Sequence, residues 1–404
     1  MHLTHISLTH FRSFARLDMD IPRRILLLVG DNAQGKTSLL EAIYFLATFT
    51  SLQAENDRQL VNFLAVDSPL AVARLVAYFQ RANQNHRLEV RLIQEAVGAN
   101  GTRLRKEILL DGVKRSMHEA LGAFNAVIFT PQMTRILEGG PEERRRYLNL
   151  TLVQVVPGYA QALSEYTQAL SQRNALLKIL ADRGGDTSQL HYWDTLLAQR
   201  GAMLIQSRIQ AIQELERQAA RFHERLTGGL EILRLTYQPS YDPAESSKGQ
   251  FSLPIETTID RMSFTRDQIQ EGFIQRLQSL RGEEINRGVT TIGPHRDELR
   301  FSANGIDLGD YGSRGQVRTA LLALKLAEVS WIKGKTSEWP VLLLDETLAE
   351  LDMQRRADLL NVLQECDQGL LTTTDLNLFS PDFVRGSTIW QVRGGCVVRE
   401  DQPA

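Results

Sequence analysis

Apolar and polar residues alternate over residues 3–8, 70–78, 87–93 and 107–110. That period of two predicts half-buried strands, because successive side chains of a strand point to opposite faces. Asp111-Gly112 after the last run predicts a hairpin turn. From Pro141 the period changes. Tyr159, Leu163, Tyr166 and Leu170 recur at i, i+4, i+7 and i+11, which puts them on one helix face. Gly184-Gly185 end that helix. A second helix follows, with Leu190, Trp193, Leu197, Leu204, Ile205, Ile212 and Leu215 on or near one face and Arg208 interrupting the stripe. Two long helices joined by a short polar break predict an antiparallel arm. The heptad pattern is too short for a long coiled coil. Residues 230–237 return to strand type, residues 242–249 read as a polar loop, and residues 268–285 are helical again. Beyond Thr290, strands at 298–302 and 306–308 flank Asn304-Gly305, a hairpin signal. A long helix, a strand ending at Glu346, a helix at 354–366, a strand at 369–373 and a final hairpin at 388–399 around Gly394-Gly395 complete the chain.

Two distant segments carry chemistry. The first is GDNAQGKT (residues 30–37), between the apolar run RILLLV and an apolar helix with Leu39, Leu40, Ile43 and Leu46. Strand, glycine loop and helix in that order form a phosphate-wrapping loop. Gly30 and Gly35 let successive N–H groups surround a phosphate, with Asp31, Asn32, Ala33, Gln34 and Ser38 along the same backbone. Lys36 supplies a point charge, and the Thr37 hydroxyl can ligate Mg2+. The second segment is VLLLDE (residues 341–346), a buried strand ending on two carboxylates. Asp345 is placed to hold Mg2+ and Glu346 to orient the attacking water. Lys36 and Glu346 are the expected catalytic pair. The nucleotide site is therefore built from both ends of the chain. The fold class expected is α/β: a P-loop ATPase head split between residues 1–135 and 289–404, with a mostly helical lobe at 136–288.

A third segment, YGSRGQVRT (residues 311–319), precedes a long helix. Ser313 is placed to cap it. The segment Ser313-Arg314-Gly315-Gln316 also resembles the signature motif of ABC-type ATPases. That resemblance implies contact with the γ-phosphate held by an opposite subunit, and hence an ATP-sandwiched homodimer. Glu350 and Asp352 match the loop that faces the partner in such dimers. Gln132 corresponds to the glutamine that senses Mg2+ and the γ-phosphate. Helix cap and signature remain alternatives for Ser313 from the residues alone.

Charge is nearly balanced, 46 Lys plus Arg against 48 Asp plus Glu, so no global field attracts nucleic acid and any such binding needs a local patch. Cys366 and Cys396 have no metal-like spacing, which predicts a reducing compartment. The first residues alternate as a strand does rather than forming an apolar signal segment, and no stretch approaches a membrane span. Together these predict a cytoplasmic protein with no membrane partner.

At full length the chain resembles the RecF family, bacterial recombination-repair proteins related to the SMC and ABC ATPases. The resemblance rests on HFRSFARLDMDIP, GDNAQGKTSLLEAIYFL, FTPQMTRILEGGPEERRRYLN, YTQALSQRNALLK, the Trp193-Asp194 helix, TTIGPHRDELRF, YGSRGQVRTALLALKLAE and LLLDETLAELDMQRR. It implies an ABC/SMC-type head and an ATP-dependent dimer. Such a dimer binds DNA at gaps and junctions between single and double strands. It acts with RecO and RecR to promote RecA loading, with slow ATP hydrolysis. A nucleotide-gated scaffold with negligible hydrolysis is the alternative. Some positions depart from the family pattern. Gln53, within Ser51-Leu52-Gln53-Ala54, stands where an Arg is usual, and Asn149 where an Asp is usual. Glu346 replaces a frequent second Asp. Thr372 to Thr374 stand where transporter ATPases carry a His. Arg144, Arg145 and Arg146 either contact DNA phosphates or order the lobe. Arg12 either reaches the nucleotide or lies on the surface. His295 and Arg296 either link lobe to head or touch a ligand.

Overall fold

A computed structural model of the chain describes residues 1–54, 56–63, 65, 70–97, 101–244 and 261–399. The loop expected at 242–249 lies outside the described residues from 245 onward. The chain forms two compact units. One comprises residues 1–133, 225–228 and 321–404, the other residues 134–224 and 229–320.

The first unit holds two six-stranded sheets. One is antiparallel, in the order Phe14–Asp20, His2–Phe11, Leu70–Arg81, Gln84–Val97, Gly101–Leu110, Val113–Arg115. The alternation read from sequence is its physical cause: Leu88, Val90 and Leu92 face the core, while Arg87 and Arg91 face outward. Asp111 and Gly112 both take positive φ, 53° and 80°, as the tight hairpin turn requires. The other sheet runs Cys396–Arg399, Thr388–Arg393, Arg24–Val29, Gln368–Thr373, Val341–Asp345, Ala126–Phe129. All neighbours in it are parallel except the final hairpin pair. Parallel strands are covered on both faces, so they read as unbroken apolar runs; Leu26, Leu27 and Leu28 are fully buried. The helix Lys36–Thr48 packs against strands of both sheets, which is why it is apolar nearly all round. Two strands were not legible from periodicity. Ala126–Phe129 is four residues, all buried, too short to show a period, and Phe14–Asp20 starts one tight turn after its neighbour.

The second unit is built on the helices Tyr159–Arg183 and Leu190–Thr227. Tyr159 meets Arg208, Tyr166 meets Gly201, and Arg173 meets Asp194. Partner numbers fall by seven as the first rise by seven, so the pair is antiparallel in heptad steps. Gly184 and Gly185, at φ 67° and 134°, make the turn. A side chain at 201 would collide with Phe273 of the helix Arg266–Arg287. The three-stranded sheet Ile306–Asp307, Glu298–Ala303, Leu233–Gln238 completes the unit. The lobe was expected to end at residue 288, but this compact unit runs on to Ala320. The reason is strand pairing: Glu298 to Ala303 pair throughout with Gln238 to Leu233. The helix Arg314–Thr336 starts in this unit and ends in the first.

Candidate functional site

In the first unit the strand Arg24–Val29 delivers the loop and the strand Gln368–Thr373 lies between it and Val341–Asp345. The ligand crevice of such a sheet lies at the carboxyl ends of its strands. Ala33 and Gly35 take positive φ, 63° and 105°, which turns successive amides toward one point. Lys36 is 3% exposed. Its Nζ donates to the Gly30 and Asp31 carbonyls at 2.5 and 3.0 Å and lies 3.1 Å from Glu346 Oε1. Asp31, Asn32 and Ala33 are exposed, and Ser38 is half-buried in the first turn of the helix.

Asp345 ends its strand nearly buried. The Thr37 hydroxyl donates to its Oδ1 at 2.9 Å and the Thr372 hydroxyl at 2.8 Å. Burial raises the Asp345 carboxyl above the ordinary aspartate range, against the lowering pull of the Thr372 and Thr37 hydroxyls. Thr372 also accepts the Glu346 amide at 3.0 Å, and Glu346 sits in the left-handed region at φ 48°. One threonine thus positions both carboxylates. No motif signals this role; only the position of Thr372 on the intervening strand points to it. Residues 32–38, with Ser13 and Glu346, line a cavity of about 310 Å³. The donor set fits Mg2+: a hydroxyl and a carboxylate oxygen converge, and a desolvated carboxylate favours a cation. The amide-lined loop, Lys36 and the helix N-terminus fit a polyphosphate. Gln132 is exposed in the turn Pro131–Thr134.

Arg12 is neither free on the surface nor aimed into the cavity. Its guanidinium grips Glu41 through Nε and Nη2 at 2.7 and 2.8 Å. Ser51 donates to the same carboxylate and accepts the amides of Gln53 and Ala54 at 3.0 and 2.8 Å. The segment that departs from the family pattern is therefore tied to the phosphate-loop helix through Ser51. Glu350 and Asp352 lie just before the helix Met353–Glu365. Asp352 caps it, accepting the Arg355 amide at 2.9 Å. Both are exposed.

In the second unit Ser313 and Gln316 form a reciprocal cap, at 3.0 and 3.2 Å, at the start of the helix Arg314–Thr336. Gln316 Nε2 also donates to Glu231 at 2.8 Å. Arg314 and Gly315 are exposed beside the cap. The cap does not exclude the signature reading, since Ser313, Arg314 and Gly315 are all exposed. For Arg144 the structure favours the second of its two readings. Arg144 is 6% exposed and bound bidentately to Glu298 at 2.7 and 2.9 Å, a pairing that orders the lobe. Arg145 is half-buried on the Asp297 carbonyl at 2.9 Å, and Arg146 is half-buried and partnered. Asn149 Oδ1 accepts from Tyr159 and Arg208 at 2.8 and 3.1 Å. Arg208 pairs with Asp297 at 2.9 Å, so a neutral Asn149 leaves that buried pair balanced. His295 lies against Tyr166 at 2.7 Å, and burial pushes its pKa down to about 4. It is a neutral packing residue; Arg296 is exposed beside it.

A split α/β head with a phosphate loop, a strand-end Asp-Glu pair and a capped Ser-Arg-Gly-Gln helix defines an ATPase head of the SMC class. The family model for the RecF/RecN/SMC N-terminal domain matches residues 2–382. The chain belongs to that family, and within it to RecF. It is 38% identical to the DNA replication and repair protein RecF of Roseiflexus castenholzii over 98% of this chain and 99% of the relative. It is 38% identical to the RecF of Chloroflexus aurantiacus, again over 98% and 99%. A solved structure of the recombination mediator protein RecF with ATPrS, in the RecFOR pathway, is 29% identical and covers 98% of both chains with a TM-score of 0.81.

Proposed function

We propose that this chain is an ATP-dependent DNA-binding protein acting in recombination, repair and replication. On this reading it closes as an ATP-sandwiched homodimer on gapped DNA or single-strand/double-strand junctions. It works in the cytoplasm with RecO and RecR to promote RecA loading, and hydrolyses ATP slowly in response to DNA. The observation that carries the reading is the convergence of Thr37 and Asp345 beside the buried Lys36. A cation–polyphosphate ligand would use every member of that donor set.

Bound Mg2+ supplies charge neutralisation at the phosphate oxygens. Thr37 and Asp345 would hold it. Lys36 would turn from Glu346 to the outer phosphates and stabilise charge there. Glu346, released, would orient water in line with the γ-phosphate and accept its proton. Ser313 of a second copy would complete the site across the dimer. In this structure Glu346 is held by the Lys36 ammonium, which suits a slow enzyme: the base is not free until the lysine has another anion. The SMC-type family supports ATP binding and hydrolysis, and the RecF relatives support the pathway.

The test is molecular mass and DNA binding, with and without ATP–Mg2+, for wild type and Lys36→Ala. The expected result is ATP-dependent dimers that retain DNA, lost in the variant. Wild type that binds ATP without dimerising or holding DNA would overturn the reading. An unchanged nucleotide cycle in Glu346→Gln would favour a scaffold without hydrolysis.

A further inference from the structure

We propose that the C-terminal hairpin, Thr388–Arg393 and Cys396–Arg399, is a working part of the nucleotide site: a clamp that keeps the phosphate loop in its phosphate-wrapping shape, with Gln34 as the positioning residue. The proposal rests on the nucleotide-binding reading of the loop and goes beyond it in assigning the hairpin a role.

Sheet pairing brings the hairpin there. Gln391 pairs with Val29 in parallel register, so both strands run out toward the same end of the sheet, one into the loop and the other into the hairpin turn. At the turn, the Gly394 amide donates to Gln34 Oε1 at 2.6 Å and the Gly395 amide donates to the Gln34 carbonyl at 3.0 Å. The side chain and main chain of one loop residue are thus both engaged by consecutive amides of the hairpin. The Gln34 side-chain oxygen is engaged by the turn.

Glycines mark the same contact. A Cβ at Gly30 would collide with the Val392 carbonyl. Gly35, at φ 105°, would put a Cβ 3.0 Å from Ser13 Oγ, and Gly395, at φ 74°, would put one 3.1 Å from the Ser13 carbonyl. Three segments, the Ser13 turn, the phosphate loop and the last hairpin, therefore close tightly on one another at these glycines. The physical need is clear. A loop that aims several amides at one point, with Ala33 in the left-handed region, stores strain and amide–amide repulsion when no phosphate is bound. Contacts from outside must over-determine that shape. Holding it in advance lowers the ordering cost of binding. By linkage, nucleotide must tighten the hairpin as much as the hairpin tightens nucleotide.

The experiment combines nucleotide affinity, steady-state ATPase kinetics and amide hydrogen exchange at Gly394 and Gly395, with melting temperature as the check on folding. Gln34→Leu keeps length and removes the acceptor. Gly395→Ala perturbs the turn from outside the cavity lining. Both variants should bind ATP about tenfold more weakly, with KM raised and kcat held. In Gln34→Leu the Gly394 amide should exchange faster, and in wild type ATP–Mg2+ should slow exchange at both glycines. Wild-type affinity in Gln34→Leu would overturn the clamp. So would weakened binding in Gln34→Leu alone with the Gly394 amide still protected, because Gln34 would then be a direct ligand contact. If wild type binds no nucleotide, the loop reading itself fails, and the clamp has no function whatever the amides show.

Discussion

At the scale of single residues, the site turns on a carboxylate that the fold desolvates and then rescues with hydroxyls. Burial raises the Asp345 pKa, so in the nucleotide-free protein its ionisation works against folding. The sign follows from linkage. A carboxyl whose folded pKa lies above its unfolded value contributes stability at low pH that is lost as pH rises through the folded pKa. Asp345→Asn keeps the oxygen that accepts from Thr37 and Thr372 and removes that loss. Nucleotide-free Asp345→Asn should therefore melt no lower than wild type near neutral pH, while its Mg2+-dependent nucleotide binding collapses. Melting curves with and without ATP–Mg2+ check both halves. Thr372→Val tests the other partner. Valine matches threonine in shape but donates nothing to Asp345 and accepts nothing from the Glu346 amide. Loss of such a supporting contact should weaken Mg2+-dependent binding by about tenfold or more, read by titration calorimetry.

At the scale of elements, two of the motifs that carry the family resemblance, QRNALLK and GPHRDEL, serve the packing of the lobe. Arg173 of the QRNALLK stretch is fully buried between Asp194 and Glu284 at 2.8 and 2.7 Å, and the Thr290 amide and hydroxyl donate to Asn174. Asp297 of GPHRDEL holds Arg208 and Tyr237. Buried charges of this kind specify how the lobe's helices register, since each is costly unless its partner arrives. His295 beside them gives a pH signature. Its folded pKa near 4 lies below the ordinary histidine value of 6.5, so the unfolded chain takes up the proton first on acidification. Its contribution to stability is complete above pH 6.5 and falls by about 1.4 kcal/mol per pH unit down toward 4. His295→Gln removes that dependence. Urea unfolding of both proteins at pH 7, 6 and 5 should show the wild type losing stability relative to the variant, and parallel curves would refute it.

At the scale of the whole molecule, the phosphate loop and the Ser313 cap belong to different compact units. An ATP-sandwiched dimer would use the loop of one copy and the cap of the other. Lys36→Ala and Ser313→Arg should each be inactive alone. Mixed in equal amounts, they should regain about a quarter of wild-type ATPase activity, because half the dimers are mixed and each mixed dimer has one intact site. No recovery on mixing would argue for sites completed within one chain.

The sequence by itself determined what local chemistry can encode. The period of two gave the antiparallel strands, the 3.6-residue period gave the long helices, and Gly30 to Thr37 with Asp345-Glu346 gave the phosphate loop and its carboxylates. Those signals lie in short windows, where backbone angles and side-chain direction depend on near neighbours. Only the tertiary structure decided which distant residues meet. It turned Arg144 and Arg208 inward onto acidic partners, gave Thr372 both carboxylates, tied Arg12 to Glu41, and set the Gly394 turn on Gln34. Each is a pairing between segments that no short window of sequence spans, and most lie where the fold removes water. A charge that reads as solvated in sequence becomes an internal pair once the fold removes the water around it.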